Sequence, residues 1–425
     1  MRIVITGMGV VAPNGVGLAD FEEALRQQRS GIRFLPELAD LKFGCQIGGI
    51  PEIDEATKRR YFTDLELKSL KASGVLYGVI AGQMAWEDAG LSEISEREDE
   101  EPDWDSGCLF GAGLAGAEVM RDATYLIDGM KVRRLGSTAV PQVMSSGVSA
   151  FLGGKLGLGN QVSTNASACS TGTESILLAM ARIKSGLAKR MLCGACDSSG
   201  PYVWGGFDAM RVMTRRFNDH PTAGSRPLSA TASGFVPGSG AGALVLESLE
   251  DAQARGAKIY AEVLGGAINS GGQRQGGTMT APNKRAIVRC IHQALENTGI
   301  QAQEIDAISG HLTSTMFDPA EVEQWCLALD RKGSNFPYIR SLKSMIGHCL
   351  SAAGAIESVA AVLELYKGFL HGTINCEDLH PEVEKNIAPS IIPQRNLDFT
   401  PNIIAKSSFG FGDVNSCVLF KKYKP

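Results

Sequence analysis

No apolar run in this 425-residue chain approaches the roughly 20 residues that a membrane-crossing helix needs. An excess of basic residues is missing too. Lys plus Arg number 41 against 46 Asp plus Glu, a net charge of -5. Nothing in that balance marks the chain for nucleic acid, and an acidic partner must be met by a local basic patch. A signal peptide is not expected: Met1 leads into RIVITGMGVVAPNG, a short β-rich run ended by turn residues. The ten cysteines lack the spacing of a disulfide framework, which fits reduced thiols in a cytoplasm. Cys193 and Cys196 form a CxxC in RMLCGACDSSG without a second metal-spaced pair. That pair reads as a buried strand ending in a turn, not as a zinc site. Disorder is excluded by 44% apolar and 20% charged residues. Histidine is scarce, at six.

Glycine, in contrast, is abundant and gathers where apolar runs stop, as in LFGAGLAGAE, FVPGSGAGALVLES and SSFGFGDVNS. Such runs read as buried strands joined by tight turns to helices. Strands are expected at Ile3–Thr6, Cys108–Gly111, Arg190–Ala195, Gly242–Leu246, Ala307–Gly310 and Ile403–Ser407. Helices are expected at Leu70–Ala89, Thr171–Ser185 and Gly354–Gly368. The alternation indicates α/β layers. The length calls for two domains or one double domain. The polar stretch ESLEDAQARGAKIYAEV divides the halves near residue 255, giving 1–254 and 255–425. Residues 92–107, SEISEREDEEPDWDSG, read as a charged surface connection without catalytic meaning.

Cys169 lies in NASACSTGTES, directly before an apolar helix. A thiol at a helix N-terminus feels the positive end of the backbone dipole, so a lowered pKa is expected. The small neighbours Ala166, Ser167, Ala168 and Ser170 permit a sharp turn that presents the side chain. By itself a cysteine is more often core filler. The histidines alter the balance. His311 in AISGHLTST follows a strand-like run, and His348 in SLKSMIGHCLSAAG follows a glycine turn into a helix. Strand ends and loop-to-helix junctions are where α/β folds carry function. A thiol with two imidazoles makes a nucleophile with donors plausible chemistry. Lys343 adds a fixed positive charge, paired with an acid. The GFG bend at 410–412 offers a backbone N–H and an aromatic gate at Phe411.

With these segments in order, the sequence resembles the β-ketoacyl-acyl carrier protein synthases of the condensing-enzyme, thiolase-fold family. The resemblance covers essentially the whole chain. It rests on SACSTG, GHLTST, KSMIGH and SSFGFGDVN, with GMGVVAPNG and FNDHPTAGSRPLSATASGFVPGSGAGALVLE in support. It implies two related halves in five layers, α-β-α-β-α, and dimerisation. Cys169 is then the nucleophile that holds the acyl chain, with the backbone N–H groups of Cys169 and Phe411 as oxyanion hole. His311 and His348 stabilise the enolate left when a malonyl thioester loses carbon dioxide. The resemblance implies no metal and no cofactor of the enzyme itself. Substrates arrive on the phosphopantetheine arm of an acyl carrier protein, held by Thr313, Thr315 and Thr280. Arg133, Arg134 and Arg211 are the candidate docking residues for that acidic carrier, with Lys68 and Lys71 as secondary candidates.

Four departures from the family pattern carry their own expectations. Leu312 replaces a glycine, and the loop after Thr315, running through Met316, Phe317 and Asp318, is one residue short. Glu321 is therefore expected to close up on Lys343. Asp413 replaces the last glycine of the gate, so the gate is expected to move differently. Where some relatives hold a structural cation, Lys406 is expected to stand in for it and pair with Glu357. The acyl pocket is assigned to Leu114, Ala139 and Phe409, where the small Ala139 leaves room for a longer or stiffer chain. This points toward a specialised polyene or polyketide pathway, as a homodimer or with a ketosynthase-like chain-length factor. Two alternatives compete: a coenzyme A-dependent thiolase-type enzyme, opposed by the two histidines, and a non-catalytic partner subunit, opposed by Cys169.

Overall fold

A computed structural model describes residues 1–91 and 101–424. Of the charged connection read at 92–107, residues 92–100 lie outside the described residues. The apolar runs form strands buried on both faces, which is why they read as near-continuous hydrophobic sequence. Ile3–Ala12 and Gly240–Ser248 are buried along their whole length. One sheet path begins at Tyr338–Arg340 and passes through Ala307–Ser309, Ile403–Gly410, Val414–Lys422 and Ala261–Ser270 to Ile3–Ala12. From there it continues through Gly240–Ser248, Arg190–Asp197 and Ser106–Ala112 to Val162–Ser163. The halves of this path meet where Ile3, Val4 and Ile5 pair antiparallel with Val263, Glu262 and Ala261.

Helices cover the strands in layers. Ser73–Asp88 packs on the outer face of the first half, and Lys284–Thr298 on that of the second. Between the halves lie Thr171–Lys184 and Ala353–Lys367, in contact with each other and with strands of both. The result is the five-layered α-β-α-β-α arrangement of a thiolase-like fold. The helix expected at Leu70–Ala89 starts at Ser73. Before it, Asp64–Ser69 is a separate helix, closed by a capping box between Thr63 and Glu66.

The two central helices decide where the site forms. They cross at Gly172 and Gly354. A β-carbon on Gly172 would stand 2.4 Å from the Ala355 nitrogen, and one on Gly354 would stand 2.6 Å from the Thr173 nitrogen. Only glycine permits that approach. The crossing brings the turn before the first helix, which carries Cys169, against the turn before the second, which carries His348.

Candidate active site

Cys169 occupies a 3-10 turn, Ala168–Ser170, that runs directly into helix Thr171–Lys184. Ala168 takes φ +48°, a left-handed conformation costly for a residue with a β-carbon. Local hydrogen bonds hold it there. The Thr171 hydroxyl donates to the Ala168 carbonyl at 2.7 Å and accepts the Ser167 N–H at 2.8 Å. The Ser170 hydroxyl donates to the Ser408 carbonyl at 3.0 Å, tying the elbow to the strand of the gate. Cys169 alone of the ten free cysteines escapes full burial.

His348 Nε2 lies 3.1 Å from the Cys169 sulfur. Its Nδ1 accepts the Leu350 N–H at 3.2 Å, which leaves the ring proton on Nε2, facing the sulfur. The imidazole is therefore a donor toward Cys169 and not a base for its proton. His311 sits edge-on to His348, ring centres 5.3 Å apart, and its Nδ1 is buried without a hydrogen-bond partner among the described residues. An aromatic collar closes round the group. Phe409 stands against His311, Phe235 against His348, and Phe207 bridges Phe235 to Phe411.

Burial pushes both imidazole pKa values well down, and the positive charges of Lys343 and Lys406 push the same way. Both rings are neutral donors at pH 7. The Cys169 thiol corrects the expectation from the helix dipole. Burial lifts it to about 11, and this outweighs Lys343 and the Phe411 and Cys169 N–H groups, which act to lower it. Donor atoms of Cys169, His311 and His348 lie within 4.8 Å of one another, a donor set that zinc accepts. Binding there would have to release the thiol proton and the Nε2 proton of His348, because a metal takes a thiolate and a bare ring nitrogen.

The ion pairs differ from expectation in one respect. Lys343 pairs with Glu357, and not with Glu321. The short loop does bring Glu321 in, but its oxygens are taken by the N–H groups of His311 at 2.6 Å and Leu312 at 2.8 Å. Burial raises Glu321 to about 7. That carboxyl fixes the backbone that carries His311, including Leu312 at φ +23°. Lys406 is fully buried, 2.9 Å from Glu357, so one carboxylate lies between two ammonium groups. Lys406 also donates to the Ser407 carbonyl and to the Ser408 hydroxyl.

The remaining candidates are more dispersed. The Thr313 and Thr315 hydroxyls are 3.0 Å apart, on a loop gathered by Asp318, which accepts the N–H groups of Thr313, Ser314 and Leu228. Thr280 is exposed on the segment between Ser270 and Lys284. Leu114 is half exposed, and Ala139 heads the short helix Ala139–Val143. Phe409 lines the site beside His311. Arg133, Arg134, Arg211 and Lys68 are exposed and form no ion pair among the described residues. Lys71 lies 3.9 Å from Asp122. Sequence reasoning missed Asp318, Asp197, Phe207 and Phe235. Asp318 had a readable signal, an acid in the first turn of a helix after a Thr/Ser-rich loop. Asp197, which accepts from the Ser351 hydroxyl at 2.6 Å and the Leu114 N–H at 3.2 Å, had none.

A partly exposed thiol and two neutral imidazoles at the crossing of a double α/β unit suit a condensing enzyme, an acyltransferase in kind. Two family models match the chain: Beta-ketoacyl synthase, N-terminal domain, over residues 1–252, and Beta-ketoacyl synthase, C-terminal domain, over 260–377. The chain belongs to the β-ketoacyl synthase family. It is 34% identical to the chloroplast 3-oxoacyl-[acyl-carrier-protein] synthase I of Arabidopsis thaliana, over all of this chain and 87% of that protein. It is 31% identical to 3-oxoacyl-[acyl-carrier-protein] synthase 2 of Synechocystis, over all of this chain and 98% of that protein. Among solved structures, the ishigamide ketosynthase/chain length factor superposes with TM-score 0.87 at 27% identity, covering 100% of this chain and 99% of that one. A β-ketoacyl synthase from Burkholderia phymatum superposes with TM-score 0.88 at 27% identity, covering all of both chains.

Proposed function

We propose that the chain extends an acyl group by decarboxylative condensation with a malonyl unit, both carried on acyl carrier protein. The observation that carries this reading is the 3.1 Å contact between the Cys169 sulfur and a histidine nitrogen that bears a proton. In the first half-reaction the sulfur attacks an acyl thioester. The carrier thiol departs and takes up the proton that Cys169 gives up. The N–H groups of Cys169 and Phe411 face the oxyanion. In the second, a malonyl thioester loses carbon dioxide, and the bonding pair becomes an enolate. The His311 and His348 N–H donors stabilise its oxygen. The enolate carbon attacks the acyl-Cys169 carbonyl, and the sulfur leaves as thiolate and takes a proton from solvent. Neutral imidazoles suit this work, because a donor aimed at developing charge in a dry site needs no reorganisation.

In this reading Lys406 is a built-in cation. It supplies beside Glu357 the positive charge that some relatives take from an ion, while Lys343 keeps its own contact. The boundary near residue 255 assigns the thiol to one half and both imidazoles to the other. Thr313, Thr315 and Thr280 receive the pantetheine arm, with Leu114 and Ala139 on the acyl path. Arg133, Arg134 and Arg211 dock the acidic carrier, with Lys68 beside them and Lys71 weakened by Asp122. A ketosynthase-like chain covers the exposed apolar side chains Met120, Tyr125, Ile127, Met130, Val132 and Val140, and the sheet edge at Val162–Ser163. No described helix is long and apolar enough to cross a membrane, and a cytoplasmic setting fits the ten free thiols. The direct test is mass spectrometry after incubation with an acyl-carrier thioester. An acyl adduct on Cys169, released when malonyl carrier is added, supports the reading. A chain that takes no acyl group is a scaffold subunit instead.

A further inference from the structure

The turn that carries Phe411 is tied to a neighbouring segment by its own carboxylate, that of Asp413. Gly410 pairs with Val414 across the hairpin, so Phe411, Gly412 and Asp413 make up the whole turn. Asp413 takes φ +62°, and its side chain is buried. One carboxylate oxygen accepts the Asn283 N–H at 2.8 Å, and the other accepts the Gln273 N–H at 2.9 Å. The backbone adds two more ties: the Asp413 carbonyl accepts the Gly271 N–H at 2.9 Å, and the Gly412 N–H donates to the Met279 carbonyl at 2.8 Å. All four partners belong to residues 271–283, the segment that joins strand Ala261–Ser270 to helix Lys284–Thr298.

The segment is shaped to receive this side chain. A β-carbon on Gly271 would stand 2.1 Å from the second carboxylate oxygen, and one on Gly277 would stand 2.5 Å from it. Glycine at both positions leaves the carboxylate its room. No Lys or Arg forms an ion pair with Asp413 among the described residues, so its negative charge is met by backbone N–H groups. Hydrogen bonds to an ionised acceptor are about twice as strong as neutral ones. The Gln273 and Asn283 contacts grip the segment near its two ends. At its start Gly272, Gln273, Gln275 and Gly276 all have positive φ, so the segment has no regular ladder of its own to hold its shape.

We infer that Asp413 is a positioning residue that couples the Phe411 turn to the 271–283 segment, so that gate and segment move as one body. The inference rests on the ketosynthase reading for its consequence. Thr280 lies on the coupled segment, and the Phe411 N–H and ring lie on the coupled turn. A pantetheine arm that meets Thr280 therefore acts on the gate through the Asp413 carboxylate. The turn that admits an acyl chain and the segment that receives its carrier arm respond together.

The test compares the full-length parent with Asp413→Ala, Asp413→Asn and Gly277→Ala. Gly277→Ala crowds the carboxylate without altering the turn. Losing one charge-assisted hydrogen bond changes an open-to-closed ratio by about tenfold or more. In Asp413→Ala and Gly277→Ala, amide hydrogen exchange at 271–283 and at 411–414 is expected to rise together, by about tenfold. Iodoacetamide is expected to alkylate Cys169 faster, while acyl transfer from carrier slows in kcat with little change in KM. Asp413→Asn keeps one acceptor and restores part of the protection. A purely structural role lowers the melting temperature without the opposed changes in alkylation and transfer. The proposal is overturned by exchange that rises at 411–414 alone, or by acyl transfer within about twofold of the parent in both variants. If the parent itself takes no acyl group, the ketosynthase reading fails, and the exchange measurement still decides the coupling.

Discussion

Cys169 and His348 show how burial and dipole compete at one atom. The helix N-terminus favours a thiolate, and so do Lys343 and two backbone N–H groups, yet desolvation by the surrounding protein is larger. The pH dependence follows directly. With a pKa near 11, the thiolate fraction is small at pH 7 and rises about tenfold per unit toward that value. Alkylation of Cys169 by iodoacetamide should climb from pH 7 to pH 10 without a plateau. A plateau below pH 8 would show that the dipole wins. The imidazoles make a separate prediction. His348→Ala and His311→Ala should each slow carbon dioxide release from malonyl carrier by about 100- to 1000-fold, as loss of an oxyanion donor does. Acylation of Cys169 should survive in both, because the backbone donors remain. Separate measurement of adduct and carbon dioxide distinguishes the two half-reactions.

Among the elements, the strand Ile403–Gly410 carries most of what is unusual. Lys406 points from it to Glu357, which also holds Lys343. Lys406→Met should destabilise the chain by about 3 kcal/mol, since a partner is removed from a buried ionic group. Urea unfolding measures that loss. The same variant should move the acidic limb of the activity profile. Burial holds both histidine pKa values down and Lys406 adds to it, so its removal raises them part of the way back, and protonation of the donors then sets in at higher pH. A profile that does not move would show that Lys406 has no field at the site. Glu321 illustrates why the pairing was not legible in the chain. The shortened loop after Thr315 pointed to Glu321 as the acid that closes on Lys343. Glu321 does arrive, but two unsatisfied N–H groups at His311 and Leu312 claim it first. Glu357, one helix away in sequence, was left for the lysines.

For the whole molecule the open questions concern partners. Exposed, unpaired arginines should steer an acidic carrier, so acyl transfer should fall as salt rises through the range in which charges about 10 Å apart become screened. Arg133→Glu with Arg134→Glu should weaken the apparent affinity for carrier by about tenfold and flatten the salt dependence, with the rate at saturating carrier unchanged. Equal affinity in both proteins would remove these residues from docking. In the proposed reading a second chain covers the exposed apolar side chains from Met120 to Val140. Sedimentation of the purified chain should give a dimer, or a monomer that becomes a heterodimer when a ketosynthase-like partner is co-expressed.

The sequence by itself determined the strands and the central helices, and it brought Cys169, His311 and His348 forward as candidates. The elements follow from local information, buried runs that end at glycine, and the candidates from small residues around a thiol and histidines at a strand end and a loop-to-helix junction, while their roles came from the family resemblance. The contact of Lys406 with Glu357 was anticipated through the resemblance, at positions where some relatives hold a cation, and a buried ammonium does need such a carboxylate. Only the tertiary structure decided the thiol's protonation, the partner of Lys343, the aromatic collar and the grip of Asp413. These depend on which groups from distant segments share a volume closed to water. There desolvation and competition for hydrogen bonds outweigh what any neighbour along the chain can supply.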